Sequence, residues 1–430
     1  MNNFWNYESL DQLHIELTNA CNAACPMCVR FHKASPHIRP DLTIGQITLE
    51  KFKKWIPPEV LKQIKIILFC GVHGDPCVAK DFLEICQYIS DNMDYTEVHV
   101  NTNGGMRTPD WWQKVGKLFN DNKGKRWHIT FSIDGLQNTN HLYRRNVVWG
   151  KLIANVKAYN SQGAVSIWDY LVFKHNEHQI AKARKMSQKL GFKHFLTKKS
   201  LGVDNGKSLK GMPALNKDGK LDYWIEAPEN KEYRSLEEPV GDTEYKHYPF
   251  DVEEYRELKK RKANDYNLWP IAVENVYPNV LDEADYKKQD SCKIYCKSQN
   301  LRENGDLKKE VFIDCSGIVM PCCYMGTHLV GRYTWPETMQ LHNHMNKHGW
   351  EYFDLHKYSL QEILDGNHLN DVFANTWELE SIAKGKTLFC ANTCGKVSAI
   401  DAIFSHPSIK TDKFVNKRVE IIEWHKKNNV

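Results

Sequence analysis

Leu17-Thr-Asn-Ala-Cys-Asn-Ala-Ala-Cys-Pro-Met-Cys-Val29 carries Cys21, Cys25 and Cys28 within eight residues, spaced C-x3-C-x2-C, with no fourth cysteine nearby. An iron–sulfur cube has four irons, each wanting one outer ligand, and thiolate is the usual one. Three close cysteines would hold three irons and leave the fourth open to a substrate or cofactor. A structural zinc site wants four ligands and is closed. The run directly follows a short apolar strand candidate, Leu13–Leu17. The thiols are therefore expected on a loop at that strand's C-terminal end.

Working outward, the first two hundred residues alternate strand-like and helix-like segments. Further strands are expected at Ile64–Cys70, Glu97–Asn101, His128–Ile133, Ser166–Phe173 and Phe192–Leu196, each short, apolar and closed by polar or glycine punctuation. Amphipathic helices are expected near Leu49–Trp55, Pro58–Gln63, Lys80–Asp91, Pro109–Asn120, Lys151–Ser161 and Glu177–Leu190. Cys86 falls on the apolar stripe of the third and reads as core. This alternation means a parallel sheet whose sites lie at the strands' C-terminal ends. From 201 to 290 the pattern dissolves into a connector with one short charged helix near Val252–Lys262. From 291 to 430 cysteines return, and an amphipathic helix at Asp412–Asn428 follows.

The chain has 430 residues, 41% of them hydrophobic and 26% charged, ample for two or three domains. A net charge of +5 is small for this length and argues against a nucleic-acid partner. No apolar stretch approaches the ~20 residues of a membrane span. Met1–Glu8 lacks the basic start and apolar core of a signal peptide. Thirteen cysteines in such a chain point to metal binding in a reducing cytosol rather than to disulfides.

The C-x3-C-x2-C run resembles that of the radical S-adenosylmethionine (SAM) superfamily, and three later segments extend the likeness. Phe69-Cys-Gly-Val-His-Gly-Asp-Pro76 resembles the family's Gly-Gly-Glu-Pro turn, with Asp75 in place of the commoner Glu and His73 where the first Gly often stands. The resemblance implies that Gly74, Asp75 and Pro76 meet the SAM ammonium, while Cys70 and Cys77 flank the turn as packing residues. Val100-Asn-Thr-Asn-Gly104 resembles the family's Thr-Asn-Gly turn and adds Asn103. Phe131-Ser-Ile-Asp-Gly135 followed by Arg144 resembles its Ser-x-Asp-Gly strand end. There Ser132 would meet the ribose or carboxylate of SAM and Arg144 its carboxylate, a planar donor fork suiting that partner. Arg145 is an equally placed neighbour. Asp134 either orients substrate or caps the following turn. Tyr170 and Val172, at the fifth strand's tip, either line the adenine or pack in the core.

Cys292 and Cys296, then Cys315-Ser-Gly-Ile-Val-Met-Pro-Cys-Cys323, then Cys390 and Cys394 resemble the SPASM/twitch auxiliary-cluster domain. A β-hairpin around Gly317 would deliver Cys322. The implied ligands are Cys296, Cys322, Cys390 and Cys394, with Cys292, Cys315 and Cys323 as alternatives. One distal cysteine pair leaves room for a single auxiliary [4Fe–4S] cluster, as in the shorter twitch variant. A structural zinc would suit the same four thiolates.

The resemblance implies a partial (β/α)6 TIM-like barrel at 1–200, followed by a small α+β auxiliary-cluster domain at 291–430. It implies SAM on a [4Fe–4S] cluster, cleavage to a 5′-deoxyadenosyl radical, hydrogen abstraction from substrate, and an electron donor such as flavodoxin or ferredoxin. Relatives of this layout mostly modify peptides or proteins, which makes a peptide or protein the expected substrate. The alternatives are dehydrogenation or epimerisation of a small molecule or sugar and, from another class, a non-enzymatic zinc-stapled binding protein.

Overall fold

In a computed structural model the described residues are 4–31, 35–39, 42–93, 95–200, 211–234, 292–294, 296, 298–301, 307–329 and 336–395. The expected helices near Val252–Lys262 and Asp412–Asn428, and most of the 201–290 connector, lie outside them.

Strands and helices alternate as the sequence periodicity requires. The order is β1 (Leu10–Ile15), α1 (Leu49–Trp55), α2 (Pro58–Gln63), β2 (Ile66–Phe69), α3 (Phe82–Asn92), β3 (Glu97–Thr102), α4 (Pro109–Asp121) and β4 (His128–Ser132). Then come α5 (Asn140–Tyr143), α6 (Trp149–Asn160), β5 (Val165–Leu171), α7 (Ile180–Lys189) and β6 (His194–Lys198). The six strands stand side by side in chain order, each neighbouring pair parallel.

Local chemistry sets the boundaries. Thr48 starts α1 by accepting the Lys51 N–H on its hydroxyl. Thr108 does the same for α4, with Pro109 at the first helical position, where a missing N–H costs nothing. β1 runs from Leu10 rather than Leu13 and ends at Ile15 rather than Leu17. It stops there because the following residues turn away. Thr18 Oγ1 donates to the Gly45 carbonyl (2.7 Å) and Asn19 Nδ2 to the Thr43 carbonyl (2.8 Å).

The two faces of the sheet differ in character. Ile67, Phe69, Val98, Val100, Ile129, Phe131 and Trp168 are wholly buried, as are Phe52, Phe82, Trp112, Phe119 and Tyr159 from the helices and their flanks. The rings interlock, with Trp112 5.2 Å from Phe131 and Phe82 6.1 Å from Phe69 between centroids. Each such side chain stabilises the fold by about 1.5–3 kcal/mol relative to exposure. The alternate positions mix polar with apolar residues: Gln12 and His14 on β1, Asn101 on β3, Thr130 and Ser132 on β4, Asp169 on β5 and Lys198 on β6 stand among Leu68, Ile167 and Leu196. Lys198 pairs with Asp169 and also acts electrostatically on Cys70, just past β2. Since β2 and β6 are not neighbours in the sheet, the sheet must curl to bring these groups together. This is the expected partial barrel.

The later strands are β7 (Met212–Leu215), β8 (Leu221–Ile225), β9 (Gln299–Leu301), β10 (Leu307–Ile313) and β11 (Val319–Met320). β7 and β8 form a separate antiparallel hairpin. β10 lies parallel to the free side of β1, Leu13 opposite Val311 and Ile15 opposite Ile313, with β9 and β11 antiparallel to it. The C-terminal unit therefore extends the core sheet across its β1 edge. Its helices are α8 (Cys323–Leu329), α9 (Pro336–His348), α10 (Leu360–Asp365), α11 (His368–Val372) and α12 (Leu388–Cys394). The β10–β11 turn is built as expected. Asp314 Oδ1 accepts the Ser316 and Ile318 N–H groups, and Gly317 takes φ +93°. A side chain at Gly317 would sit 2.9 Å from the Trp55 ring as well as straining the backbone. Among the described residues no helix is long and apolar enough to cross a membrane.

Candidate functional site

The loop after β1 is pinned at both ends. Asp75 N–H donates to the Ala20 carbonyl (2.9 Å), and Ala24 N–H to the Arg145 carbonyl (2.9 Å). Between them, Cys28 N–H donates to the Cys25 carbonyl (3.0 Å), turning the chain within the cysteine loop. Burial, Asp75 and Cys25 push the Cys21 thiol up to about 12. Burial and Cys25 push Cys28 up to about 11. Cys25 also rises through burial, opposed by the Arg144 guanidinium. Thiolates are the metal-binding form, so such a site stays protonated at neutral pH until a cation compensates the charge. No three Cys, His, Asp or Glu side chains among the described residues already close on a single ion.

Groups from the neighbouring strand ends face these thiols. Asn103 Nδ2 donates to Cys21 Sγ (3.5 Å), Asn22 Oδ1 (2.9 Å) and Asp75 Oδ2 (2.7 Å). Arg144 Nη1 lies 3.7 Å from Cys25 Sγ, and its Nε donates to Asp134 Oδ2 (2.6 Å). Asp134 Oδ1 meanwhile accepts the Leu171 N–H (2.7 Å), so this carboxylate holds Arg144 in place. Arg145 turns elsewhere. It donates to the Leu215 carbonyl (2.7 Å) and pairs with Asp222 (2.6 Å), tying the β7–β8 hairpin to the cysteine loop. Ser132 ends β4 beside Asp169 in register. Tyr170 and Val172 are fully buried, and the Tyr170 hydroxyl donates to the Asn176 carbonyl (2.8 Å), as core residues do.

The Gly71–Pro76 turn is held by a residue the motifs did not include. Glu16 Oε1 accepts both the His73 N–H (2.6 Å) and the Gly74 N–H (3.1 Å). A side chain at Gly74 would lie 1.8 Å from the Thr18 carbonyl oxygen, so only glycine fits there. Asp75 is held from several sides. Its carboxylate is engaged by the Thr102 hydroxyl (2.8 Å), the Asn103 backbone N–H (2.7 Å) and the Cys77 N–H (3.0 Å). Here it locks two strand ends together. Pro76 opens the short turn that follows.

The C-terminal thiols form a second group. Cys390 and Cys394 lie one turn apart on α12, both buried. Burial and Cys394 push Cys296 up to about 12. Cys322 is raised by burial and by Cys323, Cys296 and Cys394, and Cys390 by burial, Cys394 and Cys296. Cys296 and Cys394 thus act on both Cys322 and Cys390. Cys292 adjoins them, 3.9 Å from the Ala391 carbonyl. Burial raises Cys315, helped by the charges of Glu16 and Asp314, and burial raises Cys323, helped by those of Glu310 and Cys70.

One contact separates the two arginines experimentally. Losing a charge-assisted bond in such a site costs about 1.5–3 kcal/mol, roughly ten- to a hundredfold in affinity. Arg144→Ala is expected to weaken SAM binding by that factor at unchanged iron content, measured by anaerobic equilibrium dialysis. Arg145→Ala should leave SAM affinity unchanged, and the reverse pattern would shift the contact by one residue.

No family model matches the chain, and neither does any curated protein. Among solved structures, native anSMEcpe with bound AdoMet is 13% identical, covering 97% of this chain and 97% of that one, with a TM-score of 0.44. Streptococcus suis SuiB bound to the precursor peptide SuiA is 12% identical over 89% of this chain and 76% of that one, TM-score 0.44. SuiB bound to S-adenosylmethionine is 13% identical, with 74% of this chain covered and a TM-score of 0.40; there the chain spans 61% of its neighbour's length.

Proposed function

We propose that this chain is a radical SAM enzyme with one auxiliary cluster, acting on a peptide or protein in the cytoplasm. The observation that carries the reading is the short loop of Cys21, Cys25 and Cys28 after β1, with Arg144 beside Cys25 and Asn103 beside Cys21. Three thiolates suit a four-iron cube with one open corner. A cluster bound there would supply the electron that cleaves SAM to a 5′-deoxyadenosyl radical, the species that takes a substrate hydrogen.

The chain's own residues do the rest. Cys21, Cys25 and Cys28 would anchor three irons. Arg144, steadied by Asp134 and beside Cys25, would pair with the SAM carboxylate. Asn103 donates to the Cys21 sulfur and lowers the cost of charge there. Ser132 lies on the inward face for the ribose or carboxylate. Gly74 lets the turn approach closely. Cys296, Cys322, Cys390 and Cys394 would hold the second cluster. The pairing of β10 with β1 joins the two cysteine-bearing units in one sheet, and the substrate would lie between them. The peptide preference rests on the cysteine layout, which resembles that of peptide-modifying relatives; a flavodoxin or ferredoxin would supply the electron.

The test is anaerobic. Protein reconstituted with iron and sulfide, reduced by dithionite and given SAM, is expected to release 5′-deoxyadenosine. Candidate peptides should raise the yield and change in mass. No 5′-deoxyadenosine from protein carrying full iron would overturn the reading.

A further inference from the structure

Two buried groups beside the C-terminal thiols have no part in the ligand assignment. Lys309, on β10, is only 7% exposed, and its ammonium lies 3.5 Å from the centroid of the Phe4 ring. The adjoining chain brings Cys296 to it. Glu310 N–H donates to the Ser298 carbonyl (2.7 Å), and Ser298 Oγ lies 2.9 Å from Cys296 Sγ. Burial pulls the Lys309 ammonium down to about 8, and a charge on Cys296 would oppose that shift.

On the other side stands Trp377, 9% exposed, with its indole N–H next to the Cys390 thiol. That N–H reaches no acceptor at hydrogen-bond distance. Phe4 links the two groups, packing edge-on to Trp377 at 4.7 Å between centroids. One aromatic wall thus presents a cation and an unpaired donor to the same cluster of thiols.

Both groups are costly in a neutral pocket. Both become favourable beside an anion. Four thiolates around an iron–sulfur cube form such an anion, and charge and hydrogen bonds at the sulfurs are what set its potential.

We propose that Lys309 and Trp377 tune the reduction potential of a cluster held by Cys296, Cys322, Cys390 and Cys394. Lys309 acts through its charge at Cys296, and Trp377 through an N–H···S hydrogen bond to Cys390. Each holds the potential high, because the added electron is placed beside a fixed cation and a fixed donor. The proposal rests on the auxiliary-cluster reading given above.

The experiment uses the full chain with Cys21, Cys25 and Cys28 replaced by alanine, so that a single cluster remains. Its midpoint is read by EPR in a dithionite redox titration. Lys309→Gln and Trp377→Phe should each move the midpoint to more negative potential, and the double variant further. Lys309→Arg, which keeps the charge, should stay near the parent. Should Trp377→Phe fail to load iron, the contrast between Lys309→Gln and Lys309→Arg decides. Unchanged midpoints at unchanged iron content would overturn the proposal and leave the cluster reading standing. Zinc in place of iron in the parent would overturn that reading, and the proposal with it.

Discussion

Replacing Cys21, Cys25 and Cys28 together with alanine is expected to abolish reductive cleavage of SAM and to remove one cluster, about four irons per chain. The effect should exceed that of any single hydrogen-bonding variant, because the anchors of three irons go at once. Nearby thiols are poor substitutes. Cys77 is sealed in the core at 0% exposure, and Cys70 points into the lumen beside Asn101. Iron analysis and chromatography of 5′-deoxyadenosine under dithionite are the measurements. Continued formation of 5′-deoxyadenosine by this variant would sink the assignment.

The second large effect concerns the other thiols. The chain is expected to bind about eight irons, and Cys390→Ala with Cys394→Ala should bring this to about four. Both thiols lie one turn apart on α12, so their loss would remove half of the expected set. SAM cleavage without substrate should continue in this variant, while coupled product formation is lost. About four irons with about one zinc in the unaltered protein would instead mean a structural zinc. Iron near twelve would mean a further cluster.

Much of this architecture was legible in the chain. The short apolar runs alternating with helical stripes located all six core strands, with ends displaced by a few residues where capping side chains such as Thr18 intervene. The spacing of Cys21, Cys25 and Cys28 placed the thiols on their loop, and Gly317 marked its hairpin. Other features had no local signature. Glu16 is a single acidic residue in an apolar run, and its meaning comes only from the His73 and Gly74 amides folded against it. Asp75 gives no sign in sequence of its bonds to the Thr102–Asn103 turn, which only the fold brings to it. Lys309 and Trp377 lie 68 residues apart (377 minus 309), and only tertiary packing brings both to the C-terminal thiols. The strand Leu307–Ile313 reads as one arm of a hairpin, with nothing in its pattern to say that its other edge pairs with β1.

That pairing has a kinetic consequence. During synthesis β1 is the first strand of the sheet to leave the ribosome, yet its outer edge finds its hydrogen-bonding partner only once β10 has been made. Until then the nascent chain carries an unsatisfied strand edge next to the loop that bears three thiols, open to mispairing with another copy. Closing so long a stretch of chain is slow compared with forming the local strand–helix units. Assembly should therefore pass through a late annealing step. Rapid overproduction would trap the half-made sheet in aggregates, whereas slow expression at low temperature would give β10 time to arrive.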